Sequence, residues 1–227
     1  LIGKNIDYSF SKSYFNTKFN NEAIKAKYIN YDIDDIKEIK QIVGNSIELA
    51  GLNVTIPYKE KVIPYLDEID SQAERIGAVN TIKFTKRGDL KGYNTDVVGF
   101  ENSIFPLLKK HHEKALILGT GGASKAIAYA LKKNNIKVKF VSRNPKTEKM
   151  ISYNNITEEV MKKYKVIVNC TPLGTSPDIK KCPDIPYQFL TDKHLLFDLI
   201  YNPEVTTFLQ KGLEKGATIK NGYEMLQ

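Results

Sequence analysis

The sequence predicts an α/β protein of two domains, each a largely parallel sheet flanked by helices. Apolar runs short enough for buried strands alternate with helical patterns in both halves of the chain. One stretch, from Ala115 to Arg143, runs strand, glycine turn, helix, strand. The length of 227 residues suffices for two domains. A polar break at 111–114 separates the halves, and the expected domains are residues 1–100 and 101–220.

In the first half, a polar segment containing Ser9 and Ser11 precedes a helical pattern that continues to Phe19. Serine is a preferred residue at a helix N-terminus, so capping is one reading of both serines. A hairpin is expected at the turn formed by residues 86–89. The predicted strands are 1–3, 26–31, 52–56, 79–84 and 90–93, and the predicted helices are 33–43, 58–65, 67–76 and 96 to about 108.

The second half continues the alternation and ends in residues 221–227, which look like the start of a helix. The strand at 166–169 leads into Thr171, on the same predicted sheet edge as the glycine turn, which is where a cofactor is expected. The predicted strands are 115–118, 138–141, 166–169, 195–200 and 217–219, and the predicted helices are 123–131, 157–163 and 204–215.

The glycine turn predicts dinucleotide binding. Gly119, Gly121 and Gly122 lie between an apolar strand and an Ala-rich helix that begins at Ala123. Such a turn lets phosphate oxygens approach unpaired N–H groups at the positive end of the helix. The full fingerprint has a third glycine where this chain has Ser124, so the match rests on the strand and helix around it.

The tip of the next strand predicts the kind of dinucleotide. An acidic residue there would bind the ribose 2′-hydroxyl of NAD, whereas an arginine accommodates the 2′-phosphate of NADP. This chain has Ser142-Arg143-Asn144. A planar guanidinium suits a phosphate better than a lysine ammonium does, so Arg143 at this strand tip favours NADP. The alternative interpretation of Arg143 is an ordinary solvated surface arginine.

Composition narrows the function classes. The chain is 41% hydrophobic and 26% charged, which is typical of soluble globular proteins. The net charge of +8 favours an anionic ligand, but the lysines are scattered without an aromatic-basic stripe, so neither nucleic acid nor a membrane is expected as a partner. Cys170 and Cys182 suggest no disulfide framework, and a cytoplasmic location is expected. The three histidines lack metal-ligand spacing, so no metal site is predicted.

Seven sequence blocks, spread over nearly the whole chain, belong together. They are Ser9-Phe10-Ser11, Asn53-Val54-Thr55-Ile56-Pro57-Tyr58-Lys59-Glu60, Gly77-Ala78-Val79-Asn80-Thr81, Gly92-Tyr93-Asn94-Thr95-Asp96, the glycine turn, Asn169-Cys170-Thr171-Pro172-Leu173-Gly174 and Asp198-Leu199-Ile200-Tyr201-Asn202-Pro203. Each block is weak alone, but together and in this order they are hard to produce by chance. On these blocks the chain resembles the shikimate dehydrogenase family across nearly all of its length.

The resemblance implies reversible reduction of 3-dehydroshikimate to shikimate with NADPH, in the pathway to chorismate and the aromatic amino acids. It also implies that the active site lies in the cleft between the two domains. Lys59 and Asp96 would be the catalytic pair, because a lysine ammonium can protonate the oxygen that hydride addition makes negative. The implied substrate contacts are Ser9, Ser11, Thr55, Lys59, Asn80, Asp96 and Tyr201. The implied cofactor contacts are Gly119, Gly121, Gly122, Ala123, Ser142, Arg143, Asn144, Thr171 and, near the nicotinamide, Gly222.

The chain departs from the family pattern in three places. Tyr8 and Lys12 replace the usual His and Pro around the serines, and Ser142-Arg143-Asn144 replaces Asn-Arg-Thr. The family's C-terminal helix is expected to begin within 221–227 and to rejoin the first domain. By spacing, the substrate glutamine of that helix falls two residues beyond Gln227.

Several alternatives stay open at this stage. The second interpretation of the function is a quinate/shikimate dehydrogenase that prefers NAD, and the third is a non-catalytic NADP-sensing binding module. Residue by residue, Lys59 could be a surface lysine, Asp96 a helix cap, Asn80 a strand-end turn residue and Tyr201 part of the core. The protein is expected to be a monomer or a homodimer.

Overall fold

The chain folds into two compact units, Leu1–Thr95 and Asp96–Gln227. The structure is a computed structural model that describes residues 1–6, 9–45 and 48–226. The domain boundary expected at residue 100 falls inside a helix, Asp96–Ile104, that belongs wholly to the second unit. This helix packs against the helix Gly122–Lys133 and against the C-terminal turn.

In the first unit, local capping signals fix where several elements begin and end. Asp70 caps a helix by accepting the Gln72 N–H, and Gly77 ends that helix with a φ of 70°. The strands are β1 (Ile2–Gly3), β2 (Tyr31–Asp32), β3 (Gly51–Asn53), β4 (Glu68–Ile69), β5 (Thr81–Phe84) and β6 (Leu90–Tyr93). The helices are α1 (Phe10–Asn21), α2 (Ile39–Asn45) and α3 (Ser71–Ile76).

The first unit contains a mixed sheet in the order β3-β5-β6-β4 and a parallel pair, β1-β2. A parallel bridge between Ile2 and Val54 joins the two. The prediction of a largely parallel sheet is wrong for this unit, because β5 runs antiparallel to both β3 and β6. A short hairpin turn connects β5 to β6, and only a longer crossover would make them parallel.

Three predicted elements of the first unit change in extent or type. The strand expected at 26–31 covers only Tyr31–Asp32. The helix expected at 58–65 consists of turns and one 3₁₀ turn, Ile63–Tyr65, which contains Pro64 and so lacks one backbone donor. The helix expected at 67–76 begins only at Ser71, because Glu68–Ile69 pairs with β6 as β4.

The second unit is a six-stranded parallel sheet with helices. Its strands are β7 (Lys114–Leu118), β8 (Lys137–Val141), β9 (Met150–Ile151), β10 (Val166–Asn169), β11 (Leu195–Asp198) and β12 (Thr218–Lys220). Its helices are α4 (Asp96–Ile104), α5 (Gly122–Lys133), α6 (Glu158–Lys163) and α7 (Thr207–Leu213). No helix within the described residues combines the length and the apolarity needed to cross a bilayer.

The strand order is β12-β11-β10-β7-β8-β9, and every neighbouring pair is parallel. Numbered along the chain, this is the doubly wound Rossmann order, in which the direction of winding reverses between β7 and β10. Strands β10 and β11 are buried at every residue, which explains their continuous apolar runs. The α/β class with a Rossmann-like parallel sheet is therefore confirmed.

The second unit also departs from the sequence prediction at its margins. Strand β9 was not predicted, and α7 is shorter than 204–215 because Thr206 caps it by accepting the Leu209 N–H. The C-terminal segment forms a 3₁₀ turn, Tyr223–Leu226, that packs on α4, where a Cβ at Gly99 would lie 3.0 Å from the Met225 carbonyl oxygen. Gln227 lies outside the described residues.

Two buried histidines, His112 and His194, brace the second unit through backbone hydrogen bonds. His194 Nδ1 accepts the Thr191 N–H and its Nε2 contacts the Met161 carbonyl, both at 3.0 Å. His112 Nδ1 accepts the Lys109 N–H at 3.0 Å. Since Nδ1 is the acceptor in both rings, each is neutral with its proton on Nε2. Burial lowers the pKa of both imidazoles.

We therefore expect these histidines to make the fold less stable in mild acid. The folded-state pKa of each imidazole lies below the ordinary value of about 6.5, so the unfolded chain binds the proton first as the pH falls. The free energy of unfolding is therefore highest above about pH 6.5 and decreases below that pH. Denaturant midpoints at about pH 7.5 and about pH 5.5 test this. His194→Gln should show a smaller drop between the two pH values than the parent, whereas exposed His111→Gln should match the parent. Equal drops in all three proteins would contradict the assignment.

Candidate active site

The glycine turn lies at the carboxyl end of β7, where the sheet reverses its winding. Gly119 has a φ of +103°, and a Cβ there would lie 3.2 Å from the Cys170 carbonyl oxygen, so both the conformation and the space favour glycine. Gly121 is the N-cap of α5 and provides no side-chain cap. A Cβ at Gly121 would meet nothing within 4 Å. The start of α5 thus has no side-chain cap and has open space beside Gly121, and both features suit an anion site.

Ser124 occupies the place of the third fingerprint glycine without disturbing the turn. It is 1% exposed, and its hydroxyl donates to the Gly121 carbonyl at 2.6 Å. Gly122 and Ala123 complete the first turn of α5, which contains no acidic side chain. Its positive end is therefore not neutralised from within the turn, which suits a phosphate.

The tip of β8 presents the predicted cofactor-selecting residues. Arg143 and Asn144 are exposed, and the Asn144 N–H donates to Ser142 Oγ at 3.2 Å, which fixes the loop as it leaves the strand. Half-buried Tyr153 lies close by. Its burial raises the pKa of the Tyr153 phenol, while the positive charge of Arg143 opposes that rise. A permanent cation therefore stands at the strand tip, where a 2′-phosphate would need one.

Thr171 lies on the loop after β10 and borders the glycine turn. Asn169 Oδ1 accepts hydrogen bonds from the Thr171 N–H at 3.0 Å and from its hydroxyl at 2.7 Å. The Thr171 methyl would lie 3.3 Å from a Cβ at Gly119. Thr171 therefore forms one wall of the turn, as its predicted place in a cofactor site requires.

Tyr201 and Gly222 meet at the carboxyl end of β11. Tyr201 is half-buried and follows Ile200, whose carbonyl accepts the Gly222 N–H at 3.2 Å. A Cβ at Gly222 would overlap the backbone carbonyl of Leu199. Glycine is thus needed at 222 for close backbone contact. In the second unit, the structure brings the glycine turn and Thr171 together, and it places Tyr201 beside Gly222.

In the first unit, Thr55 and Lys59 follow β3, and backbone hydrogen bonds fix both positions. The Thr55 N–H donates to the Ile2 carbonyl at 2.9 Å, and the Lys59 carbonyl accepts the Val79 N–H at 2.7 Å. Ser9 is the N-cap residue of α1, but its hydroxyl does not cap the helix, so the capping reading is wrong for Ser9. Ser11 lies in the first turn of α1, and both serines are half-buried.

Asn80 is buried and holds the chain at Thr95 through its side chain. It is 9% exposed, its Nδ2 donates to Thr95 Oγ1 at 2.9 Å, and its Oδ1 accepts the Thr95 N–H at 2.9 Å. Nearby in the sequence, the Asn94 Nδ2 donates to the Ala78 carbonyl at 2.9 Å. Asn80 therefore fixes the chain immediately before Asp96, the first residue of α4.

Comparison of the chain with known proteins shows the family to which it is related. A family model described as the shikimate dehydrogenase substrate binding domain matches residues 1–82. A shikimate dehydrogenase (NADP(+)) of Clostridium botulinum strain Hall is 41% identical over 237 residues, which cover 100% of this chain and 90% of that protein. The chain belongs to the shikimate dehydrogenase family. The resemblance seen in the sequence blocks is thereby confirmed.

Solved shikimate dehydrogenases share its fold. The crystal structure of the Aquifex aeolicus enzyme is 35% identical with a TM-score of 0.86, and the match covers 99% of this chain and 86% of that one. A Thermus thermophilus shikimate 5-dehydrogenase, solved in complex with NADP(H) and shikimate, is 28% identical with a TM-score of 0.83. That match covers 99% of this chain and 87% of the Thermus chain.

As a member of the shikimate dehydrogenase family, the chain has in its second unit the features that NADP(H) requires. Open space in front of Gly121 and the uncapped start of α5 suit the pyrophosphate, and the cation of Arg143 suits a 2′-phosphate. These observations come from the geometry of the turn and of the strand tip, independently of any relative.

Sequence reasoning gave no role to two polar residues that shape the site, Asn169 and Asp198. Both are fully buried and are partners across β10 and β11. Burial raises the pKa of the Asp198 carboxyl to about 6, against the opposing effect of hydrogen bonds from Thr206, Ile200 and Asn169. In the sequence, both Asn169 and Asp198 are polar residues at the end of an otherwise apolar strand. That pattern does not distinguish a buried supporting residue from a residue at an exposed strand end.

Proposed function

We propose that this chain catalyses the reversible, NADPH-dependent reduction of 3-dehydroshikimate to shikimate, a step toward chorismate and the aromatic amino acids. The observation that carries the proposal is the combination of a dinucleotide turn with Arg143 at the neighbouring strand tip, in a chain 41% identical over its whole length to a shikimate dehydrogenase (NADP(+)). The Thermus relative, solved with both NADP(H) and shikimate, supports the choice of ligands. The enzyme is accordingly an oxidoreductase acting on a CH–OH group.

On the cofactor side, each residue has a distinct task. The N–H groups at Gly121, Gly122 and Ala123 hold the pyrophosphate, and Arg143, flanked by Ser142 and Asn144, binds the 2′-phosphate. Thr171 and Gly119 shape the wall of the turn. The backbone at Gly222 would face the nicotinamide, and NADPH, when bound, would supply the hydride.

On the substrate side, hydroxyl and amide groups suit a ring that carries hydroxyls and a carboxylate. Ser9 and Ser11 bind the carboxylate, and Thr55, Asn80 and Tyr201 bind the ring. Lys59 donates a proton to the ketone oxygen as negative charge develops on it. Asp96 is the second member of the proposed catalytic pair. The hold of Asn80 on Thr95 supports this role, because it fixes the backbone next to Asp96.

The direct test is reduction of NADP⁺ with shikimate at alkaline pH, followed by absorbance, with NAD⁺ and quinate as comparison substrates. Shikimate-dependent NADPH formation is the expected result. A protein that binds NADP⁺ without turnover would instead be an NADP-sensing module. A clear preference for NAD⁺ would place it with the NAD-using members. The cytoplasmic location and the oligomeric state stay predictions.

Gly121→Ala is expected to weaken NADP(H) binding without changing stability. Gly121 has a φ of −79°, and a Cβ there meets no protein atom within 4 Å, so alanine fits the fold. The added methyl would enter the space that the proposal assigns to the pyrophosphate. We expect the NADP⁺ dissociation constant, measured by calorimetry, to rise about tenfold or more with an unchanged melting temperature.

Gly216→Ala is the control, because Gly216 follows α7, away from the turn, and has a φ of +76°. Alanine there should lower the melting temperature and leave NADP⁺ binding unchanged. Unaltered NADP⁺ affinity in Gly121→Ala would place the pyrophosphate elsewhere.

A further inference from the structure

A buried polar network, to which the proposed reaction gives no chemical step, ties together the carboxyl ends of β10 and β11. At its centre is Asp198, which is fully buried. Its carboxylate accepts hydrogen bonds from Asn169 Nδ2 at 3.1 Å, from the Ile200 N–H at 3.1 Å and from Thr206 Oγ1 at 2.6 Å. A buried carboxylate is costly unless donors satisfy it, and an apolar strand end would avoid that cost. The arrangement therefore calls for an explanation.

One branch of the network leads from Asp198 to the glycine turn. Asn169 donates to Asp198 with its Nδ2, and with its Oδ1 it accepts both the N–H and the hydroxyl of Thr171. Because Asn169 uses its two ends for different partners, the Asp198 carboxylate also fixes which way the amide faces. Thr171 in turn borders Gly119. The position of the turn's wall thus depends on the carboxylate.

A second branch leads from Asp198 to the end of the chain. The Ile200 N–H donates to Asp198, which fixes the backbone immediately before Tyr201. The Ile200 carbonyl accepts the Gly222 N–H at 3.2 Å. The backbone of Gly222 lies so close to Leu199 that no Cβ fits. Both Tyr201 and Gly222 therefore rest on a backbone segment that Asp198 holds in place.

We infer that Asp198 is a positioning residue whose hydrogen bonds set the loops carrying Thr171, Tyr201 and Gly222 at the cofactor edge of the sheet. The inference rests on the proposed function for the roles of those three residues. Asp198 itself touches no reacting atom and acts only through Asn169, Ile200 and Thr206. A carboxylate suits this task because it accepts several hydrogen bonds at once and donates none.

Two near-isosteric variants test the inference. Asp198→Asn keeps the shape and replaces one acceptor oxygen by a donor, which opposes the Thr206 hydroxyl. Thr206→Val leaves the carboxylate in place and removes one of its donors, so it serves where Asp198→Asn does not fold. Thr206→Ser keeps the hydroxyl and should rescue the effect.

Thr157→Val is the matched control for stability. Thr157 caps α6 by accepting the Val160 N–H at 3.4 Å, just as Thr206 caps α7 by accepting the Leu209 N–H at 3.3 Å. Thr206 alone of the two also donates to Asp198. Because Thr157 is exposed and Thr206 is fully buried, this control is read together with Asp198→Asn, which leaves the α7 cap in place. An effect shared by Asp198→Asn and Thr206→Val and absent from Thr157→Val reports the link to the carboxylate.

Two readouts are needed, hydrogen exchange of the ligand-free protein and NADP⁺ affinity. In Asp198→Asn and Thr206→Val we expect faster hydrogen exchange in segments 170–174 and 199–202 and about tenfold weaker NADP⁺ binding. In Thr206→Ser and Thr157→Val we expect exchange rates and NADP⁺ affinity within about twofold of the parent. Unchanged exchange in both test variants, or an equal loss in Thr157→Val, would overturn the inference. Exchange needs no ligand, so a parent that fails to oxidise shikimate counts against the proposed function alone.

Discussion

Lys59→Ala is expected to lower kcat for shikimate oxidation about a thousandfold while leaving the NADP⁺ dissociation constant within about twofold of the parent. The variant removes the side chain that the proposal places at the reacting oxygen. In the oxidation direction this group takes the hydroxyl proton, the reverse of its donation during reduction, and proton transfer and charge stabilisation each contribute a factor of this order. NADP⁺ binding should survive, because the proposed cofactor contacts lie in the second unit and Lys59 lies in the first.

Alanine retains one structural contact of this residue, because the Lys59 backbone carbonyl accepts the Val79 N–H at 2.7 Å. The melting temperature of the variant is measured beside kcat, so that a loss of stability is distinguished from a loss of chemistry. Lys61→Ala is the matched control, because Lys61 belongs to the same Lys-Glu-Lys run and is exposed. It should keep full activity.

Lys59→Arg separates the two contributions of the side chain. Arginine keeps the positive charge but does not release a proton in the working pH range. A variant as inactive as Lys59→Ala would assign the effect to proton transfer, and substantial recovery would assign it to charge. Normal turnover in Lys59→Ala would remove Lys59 from the catalytic role altogether.

The sequence predicts the second unit better than the first, and the reason lies in burial. Strands β10 and β11 are covered on both faces, so each reads as an uninterrupted apolar run. The glycine turn is equally easy to recognise in the sequence, because the positive φ at residue 119 favours glycine. Signals of this kind are local, and a single sequence contains them.

In the first unit, several elements depend on distant partners. Strand β4 has only two residues, which are too few to show the alternating pattern of a strand. The residue before it, Asp67, is held by a distant partner, because its carboxylate accepts the Leu90 N–H at 2.7 Å. The pairing of β4 with β6 competes with a helical pattern that continues through 67–76, and the tertiary pairing wins over local propensity. A single sequence does not reveal such competition.

The candidate site divides in the same way. Motif and spacing indicated Gly119, Gly121 and Arg143. The supporting polar residues escaped, because the burial of Asn169 and Asp198 is a property of the assembled sheet. The family resemblance contained both residues within its matching blocks, but only their hydrogen bonds suggest what they do.

Arg143→Ala is expected to raise KM for NADPH by about 10- to 100-fold and KM for NADH by less than about twofold. The guanidinium is the permanent positive charge that the proposal places at the 2′-phosphate, and the two dinucleotides differ in that phosphate alone. A hydrogen-bonded charge pair of this kind contributes about 1.5–3 kcal/mol, which corresponds to the expected factor. Arg143 is exposed, so its removal should not affect folding.

Arg87→Ala is the control, because Arg87 is an equally exposed arginine in the hairpin between β5 and β6. It should leave both KM values unchanged, which would exclude a general effect of net charge on the binding of an anionic cofactor. High salt should weaken NADPH binding to the parent and narrow its difference from Arg143→Ala, since ions screen an exposed cation. Equal increases in KM for NADPH and NADH in Arg143→Ala would contradict the 2′-phosphate assignment, because a residue that binds only that phosphate has nothing to lose with NADH.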